Sequence, residues 1–197
     1  PTAAFAATTM TPDVWDGSTA AKLTGSGTSE DDPYLISTGA ELKLLAENSR
    51  IMAFGSCYVK LTNDIILNDG TFEKDGSFTK TGESNPSAPN EWLPAGKATW
   101  HIDGGGHYIS GLYIIAMFVN KIGAYVGVFA GTSFRTSFIN CVGENNIVGT
   151  NGCYSTAGVV DWAEEGSFSG VHTSGSVSGN NILGGIAGRT MDTTFKN

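Results

Sequence analysis

Apolar residues recur in short runs along most of the chain. Tyr34-Leu35-Ile36, Tyr58-Val59-Lys60-Leu61, Ile65-Ile66-Leu67 and Trp100-His101-Ile102 each read as a short strand, and Ile109, Leu112 and Ile114 as a further one. One segment has helical spacing instead. Leu42, Leu45 and Ala46 fall at i, i+3 and i+4 behind the capping box Thr38-Gly39-Ala40-Glu41, which predicts a helix over about 39–48. Residues 1–33 are rich in Ala, Thr, Ser and Gly. Their turn chemistry at Trp15-Asp16-Gly17 and Gly25-Ser26-Gly27-Thr28 predicts an irregular lead-in. Residues 68–99 are polar, with Gly70, Gly76, Gly82, Pro86, Pro89 and Pro94, and predict a loop insertion with a small hairpin around Phe72 and Phe78.

The stretch 123–197 repeats itself. Val126-Gly127-Val128-Phe129-Ala130-Gly131 is matched by Ala157-Gly158-Val159-Val160 and by Gly184-Gly185-Ile186-Ala187-Gly188, with Gly127, Gly158 and Gly185 spaced by 31 and 27 residues. In the first two units Phe138, Cys141, Ile147 and Gly149 align without a gap on Phe168, Val171, Val177 and Gly179. Cys141 thus fills an apolar slot that Val171 fills one unit later. A period near 30 with glycine turns predicts stacked units of short strands. Helical repeats are excluded because each interior glycine costs ~1 kcal/mol. The expected fold is all-β, a parallel β-solenoid, with the lone helix capping its N-terminal end. Residues 34–122 would hold the cap and first coils, and 123–197 the repeat coils. The third unit stops at Phe195-Lys196-Asn197, where the first reads Phe138-Ile139-Asn140. A polypeptide continuing beyond Asn197, or a partner covering that end, is therefore expected.

Charge narrows the partners. Eleven Lys+Arg stand against 19 Asp+Glu, a net charge of −8. That balance disfavours nucleic acid and anionic membranes, which need clustered cations. The longest apolar run, Ile114 to Val119, is far short of the roughly 20 residues of a membrane span, so no insertion is expected within this chain. Cys57, Cys141 and Cys153 form no CxxC, and packing is their expected role.

The glycine–hydrophobic–glycine cores, above all Gly184-Gly185-Ile186-Ala187-Gly188, resemble the GLUG motif of bacterial cell-surface proteins. The resemblance extends over about 15–197. It takes in Asp32-Pro33-Tyr34-Leu35-Ile36, Leu61-Thr62-Asn63-Asp64-Ile65, Trp92-Leu93-Pro94 and the run Asp103-Gly104-Gly105-Gly106-His107. It implies a right-handed parallel β-helix of the pectate-lyase-like type, secreted or held on a bacterial surface. Related segments occur in adhesin-like proteins and beside the peptidase part of bacterial immunoglobulin A proteases.

The candidate chemistry is sparse. Asp161, Glu164 and Glu165 crowd around Trp162. Clustered carboxylates can hold Ca²⁺, a carboxylate pair can work on a glycosidic bond, and a solvated loop accounts for them equally. Trp162 is the stronger sign, because an exposed aromatic ring stacks on a sugar or a protein partner. His101 and His107 flank a glycine turn without metal-ligand spacing, so a solvated turn is expected there and no cofactor. Arg135 and Arg189 share no register in the repeats, which leaves a polysaccharide lyase without its basic groove. The expected function is a non-enzymatic extracellular module, a surface scaffold or one that adheres to a glycan or a host or bacterial surface protein. Its rivals are a carbohydrate-active enzyme, lyase or glycosidase, and the non-catalytic segment of a larger secreted peptidase.

Overall fold

The computed structural model describes residues 10–51, 56–73, 77–93, 95–111, 113–116, 125–126, 130–150, 155–178 and 182–196. In chain order the elements begin with β1 (Asp13–Val14), β2 (Tyr34–Ile36), α1 (Gly39–Ile51), β3 (Cys57–Leu61) and β4 (Ile65–Ile66). Then come β5 (Gly70–Phe72), β6 (Phe78–Lys80), β7 (Ala95–Ala98), β8 (Trp100–Asp103), β9 (Tyr108–Ser110), β10 (Tyr113–Ala116) and β11 (Tyr125–Val126). They continue with β12 (Ala130–Phe134), β13 (Ser137–Ile139), β14 (Val142–Thr150), β15 (Ser155–Ala157) and β16 (Val160–Glu164). The last are β17 (Ser167–Ser169), β18 (His172–Ser178), β19 (Ile182–Gly184), β20 (Ala187–Met191) and β21 (Thr194–Lys196).

These strands divide among five sheets. One six-stranded sheet runs β2-β3-β8-β13-β17-β21, and another joins β1, β4, β9, β14, β10 and β18. A four-stranded sheet runs β20-β16-β12-β7 and a three-stranded one β11-β15-β19. All pairings in these four are parallel, whereas β5 and β6 form an antiparallel pair. This overturns the single right-handed parallel β-helix, the pectate-lyase-like solenoid expected from the repeats. The strands are mostly parallel, but the architecture is multi-sheet. The expected period near 30 is not kept along the chain either. Here the partners Asp64 and His107 lie 43 residues apart, His101 and Ser137 lie 36 apart, and Arg135 and Glu165 lie 30 apart. The strands instead divide among separate sheets, and the antiparallel β5–β6 pair is inserted between them.

Local register is a separate matter. Phe138 lies opposite Phe168, and Phe168 opposite Phe195. Their rings stack at centroid distances of 4.9 Å in both steps, tilted by only 9° and 7°. Val59 and Ile102 continue the same buried row on β3 and β8. Cys141 is buried and Val171 packs against the same core. The expected Ile147–Val177 pair is a misregister. Ile147 lies opposite Ser176, and Val148 opposite Val177, because the ladder slips between Gly143 and Asn146. Two residues of β14 there oppose one of β18, and such a bulge shifts everything after it by one.

The helix also differs from its expected role. Thr38 Oγ1 accepts the Glu41 N–H at 3.2 Å, and Glu41 Oε2 accepts the Ser37 and Thr38 N–H groups at 2.8 and 3.2 Å. This reciprocal cap starts α1, and Leu42, Leu45 and Ala46 are buried along one side. Yet β1 and β2 precede it, and it connects the adjacent parallel strands β2 and β3. Parallel neighbours require such a crossover. Its body lies against β7, the outermost strand of the four-stranded sheet, so it covers one sheet edge in place of a solenoid end. Thr38→Ala should cost about 1 kcal/mol in urea unfolding. An unchanged midpoint would show that the cap contributes nothing.

Within 68–99, Phe72 pairs with Phe78 across the antiparallel hairpin, ring centroids 4.7 Å apart. The buried Asn68 side chain holds this excursion to the body. Its Nδ2 donates to the carbonyls of Asn90 and Gly111 at 3.0 and 2.8 Å, and its Oδ1 accepts the Asn90 N–H at 2.6 Å.

Candidate binding groove on the six-stranded sheet

Strand alternation sends Val59, Ile102, Phe138 and Phe168 into the core, so their neighbours face outward. Two outward rows result. Tyr58, His101, Ser137, Ser167 and Thr194 are cross-strand partners in one row. Lys60, Asp103, Ile139, Ser169 and Lys196 make the other. Between the strand ends and the 30–33 segment lies a groove of about 660 Å³, lined by Tyr58, Lys60, His101, Asp103, Ser137 and Asn140, with Glu30 and Asp31 beside them.

Its geometry follows from the parallel register. Tyr58 and His101 stack with ring centroids 4.7 Å apart and planes 26° apart. His101 Nδ1 is 2.9 Å from Ser137 Oγ on the next strand. Lys60 Nζ lies 3.9 Å from Asp103 Oδ2, both side chains being about half exposed, which makes this pair weak. Asp103 Oδ1 accepts the Gly105 N–H at 2.9 Å. Asn140 sits at φ 50°, a left-handed corner that asparagine tolerates better than most side chains. The result is an aromatic–imidazole wall beside hydroxyl, amide, ammonium and carboxylate groups. Such a lining grips polyhydroxylated or peptide-like ligands by stacking and hydrogen bonds.

The acidic cluster is arranged differently. Trp162 is half-buried, and the Arg189 guanidinium lies 5.4 Å from its ring centroid, so one ring face is already taken. Glu165 turns at φ 51° and pairs with Arg135 Nε at 2.7 Å. Glu164 is half-buried at the end of β16. The Asp161 side chain lies outside the described ones. Of the described carboxylates Glu165 is thus drawn to Arg135, and among the described residues no group of three His, Cys, Asp or Glu could hold a metal. His107 Nδ1 meets Asp64 Oδ1 at 3.0 Å, an oxygen that also accepts the Tyr108 N–H at 3.2 Å. His101 instead faces Ser137, so the two imidazoles serve different sheets.

The repeat glycines take mixed positions. Gly127 and Cys153 lie outside the described residues, Gly131 is in β12, and Gly188 is in β20. A Cβ on Gly158 would collide with the Gly185 carbonyl, and one on Gly184 with the Ala187 carbonyl, so close backbone approach demands glycine there. Gly185 has open space around it.

Cys57 and Cys141 are free and buried, and burial pushes both thiols up to about 12. A thiol so reluctant to ionise is a poor nucleophile. Iodoacetamide at about pH 8 should leave both unlabelled in the native protein and label both in urea. Peptide mapping that finds either one modified before unfolding would contradict the packing.

Sequence reasoning passed over the groove because its parts are far apart in the chain. Only the parallel register brings Tyr58, His101 and Ser137 together. A repeating outward position was the one available signal. Comparison of the chain with protein-family models, curated proteins and solved structures gives no match to any of them.

Proposed function

We propose that this chain is a non-enzymatic recognition module of an extracellular or bacterial-surface protein, and that it adheres to a glycan through the groove beside β3, β8 and β13. The observation that carries this reading is the Tyr58–His101 ring stack in the wall of an open groove rich in hydrogen-bonding side chains. Aromatic surface next to fixed polar groups suits sugar rings. The resemblance to GLUG-motif surface proteins supports the extracellular setting, and the spacer role of such proteins is compatible with it. Turnover has less support. Of the three groove carboxylates, Asp103 is engaged by Lys60 and Gly105, and Glu30 and Asp31 are exposed, without the burial that tunes a general acid.

A glycan array followed by product analysis on every hit tests this. Binding that Tyr58→Ala reduces at least about tenfold, with no sugar released, is the expected result. Release of reducing or unsaturated ends, abolished by Asp103→Asn, would favour a carbohydrate-active enzyme. Binding lost on Trp162→Ala but kept in Tyr58→Ala would return the site to the Asp161–Glu165 turn.

A further inference from the structure

The outward row changes character along its length. Tyr58 and His101 are rings, and beyond them Ser137, Ser167 and Thr194 are small hydroxyl side chains in register. With strands ~4.8 Å apart, this row spans about 19 Å across five strands. The rings close one end, and the small residues leave a shallow open path from it. A chain of sugar rings laid across the strands would meet one protein hydroxyl on each of β13, β17 and β21.

Charge selects among such chains. The groove holds three carboxylates, Glu30, Asp31 and Asp103, against the single ammonium of Lys60. Lys60 is already beside Asp103. Among the described residues no ion pair or hydrogen bond engages the side chains of Glu30 or Asp31, and both are exposed. The whole chain adds a net charge of −8. Uronates and sialylated chains would be repelled, whereas ammonium groups would be drawn to the Glu30–Asp31 side.

We infer that the groove across β3, β8 and β13, with the hydroxyl row that continues from it over β17 and β21, takes an extended amine-bearing oligosaccharide of the glucosamine type. This rests on the glycan-recognition reading above and specifies the ligand class of that site.

Calorimetric titration at about pH 6, below the ordinary pKa of an amine, provides the test. The probes are glucosamine dimer, glucosamine hexamer, cellohexaose and hexagalacturonate. The hexamer should bind at least about tenfold more tightly than cellohexaose, and it should weaken as NaCl rises from about 0.05 to 0.5 M. Hexagalacturonate should not bind. The double variant Glu30→Gln with Asp31→Asn should erase the preference for the amine. Ser167→Tyr should weaken the hexamer about tenfold and leave the dimer within twofold, because it blocks only the far part of the path. Equal affinity for cellohexaose, tighter binding of hexagalacturonate, or no binding of the hexamer would overturn the ligand class. If array hits nonetheless remain sensitive to Tyr58→Ala, glycan recognition stands and only this specification fails. Binding unaffected by Ser167→Tyr would overturn the extended path.

Discussion

Phe168→Ala should lower the unfolding free energy by about 3–5 kcal/mol. Phe168 is the middle ring of a three-ring stack, with Phe138 and Phe195 each 4.9 Å away. Only 2% of it is exposed. Truncation would remove the transfer energy of a buried ring, both stacking contacts and the filling of the space between them. Phe195 occupies the equivalent slot on the outermost strand and is 51% exposed, so Phe195→Ala should cost clearly less, about 1 kcal/mol. Urea unfolding of both variants reads the contrast directly. Equal losses would mean that the depth of the stack does not matter. A loss below ~1 kcal/mol for Phe168→Ala would place that ring outside the core.

Asn68→Ala should cost about 3 kcal/mol and loosen the 69–90 excursion in particular. Removing the amide leaves the Asn90 N–H and the Gly111 and Asn90 carbonyls without the partners they now have at 2.6–3.0 Å. A buried group left unpaired costs roughly 1–3 kcal/mol, and water entering the gap would recover part of it. Asn90 also donates from its side chain to the Trp15 carbonyl at 3.2 Å, so the loss should reach the lead-in. Limited proteolysis should cut the variant within 69–90 well before the wild type. A variant as resistant as wild type and equally stable would show that the hairpin is held by other contacts, such as Phe72 stacking on Tyr113 at 5.4 Å.

Some of this was legible because it is local. The cap of α1 depends on Thr38 and Glu41 three residues apart, and their chemistry permits one reciprocal arrangement. Phe72 and Phe78 face each other across a polar turn region. The phenylalanine row was legible for another reason, since recurrence at similar spacing marks one slot in successive units. Recurrence failed where the backbone gained a residue. No feature of Gly143 to Asn146 announced that β14 would bulge and carry Ile147 off Val177. Trp162 misled in a similar way, because its cover, Arg189, comes from the next strand of the sheet.

By itself, the sequence determined that the chain would be built from short strands and tight turns, with one capped helix and an aromatic row at a recurrent position. Apolar spacing, glycine and capping chemistry act over a few residues, so their consequences can be read in place. Only the tertiary structure decided that the strands partition among several sheets, that α1 covers the edge at β7, and that Tyr58, His101 and Ser137 share a groove wall. Those outcomes rest on which distant strand pairs with which, and in what register. A shift of a single residue turns every side chain to the opposite face, and no local pattern carries that choice.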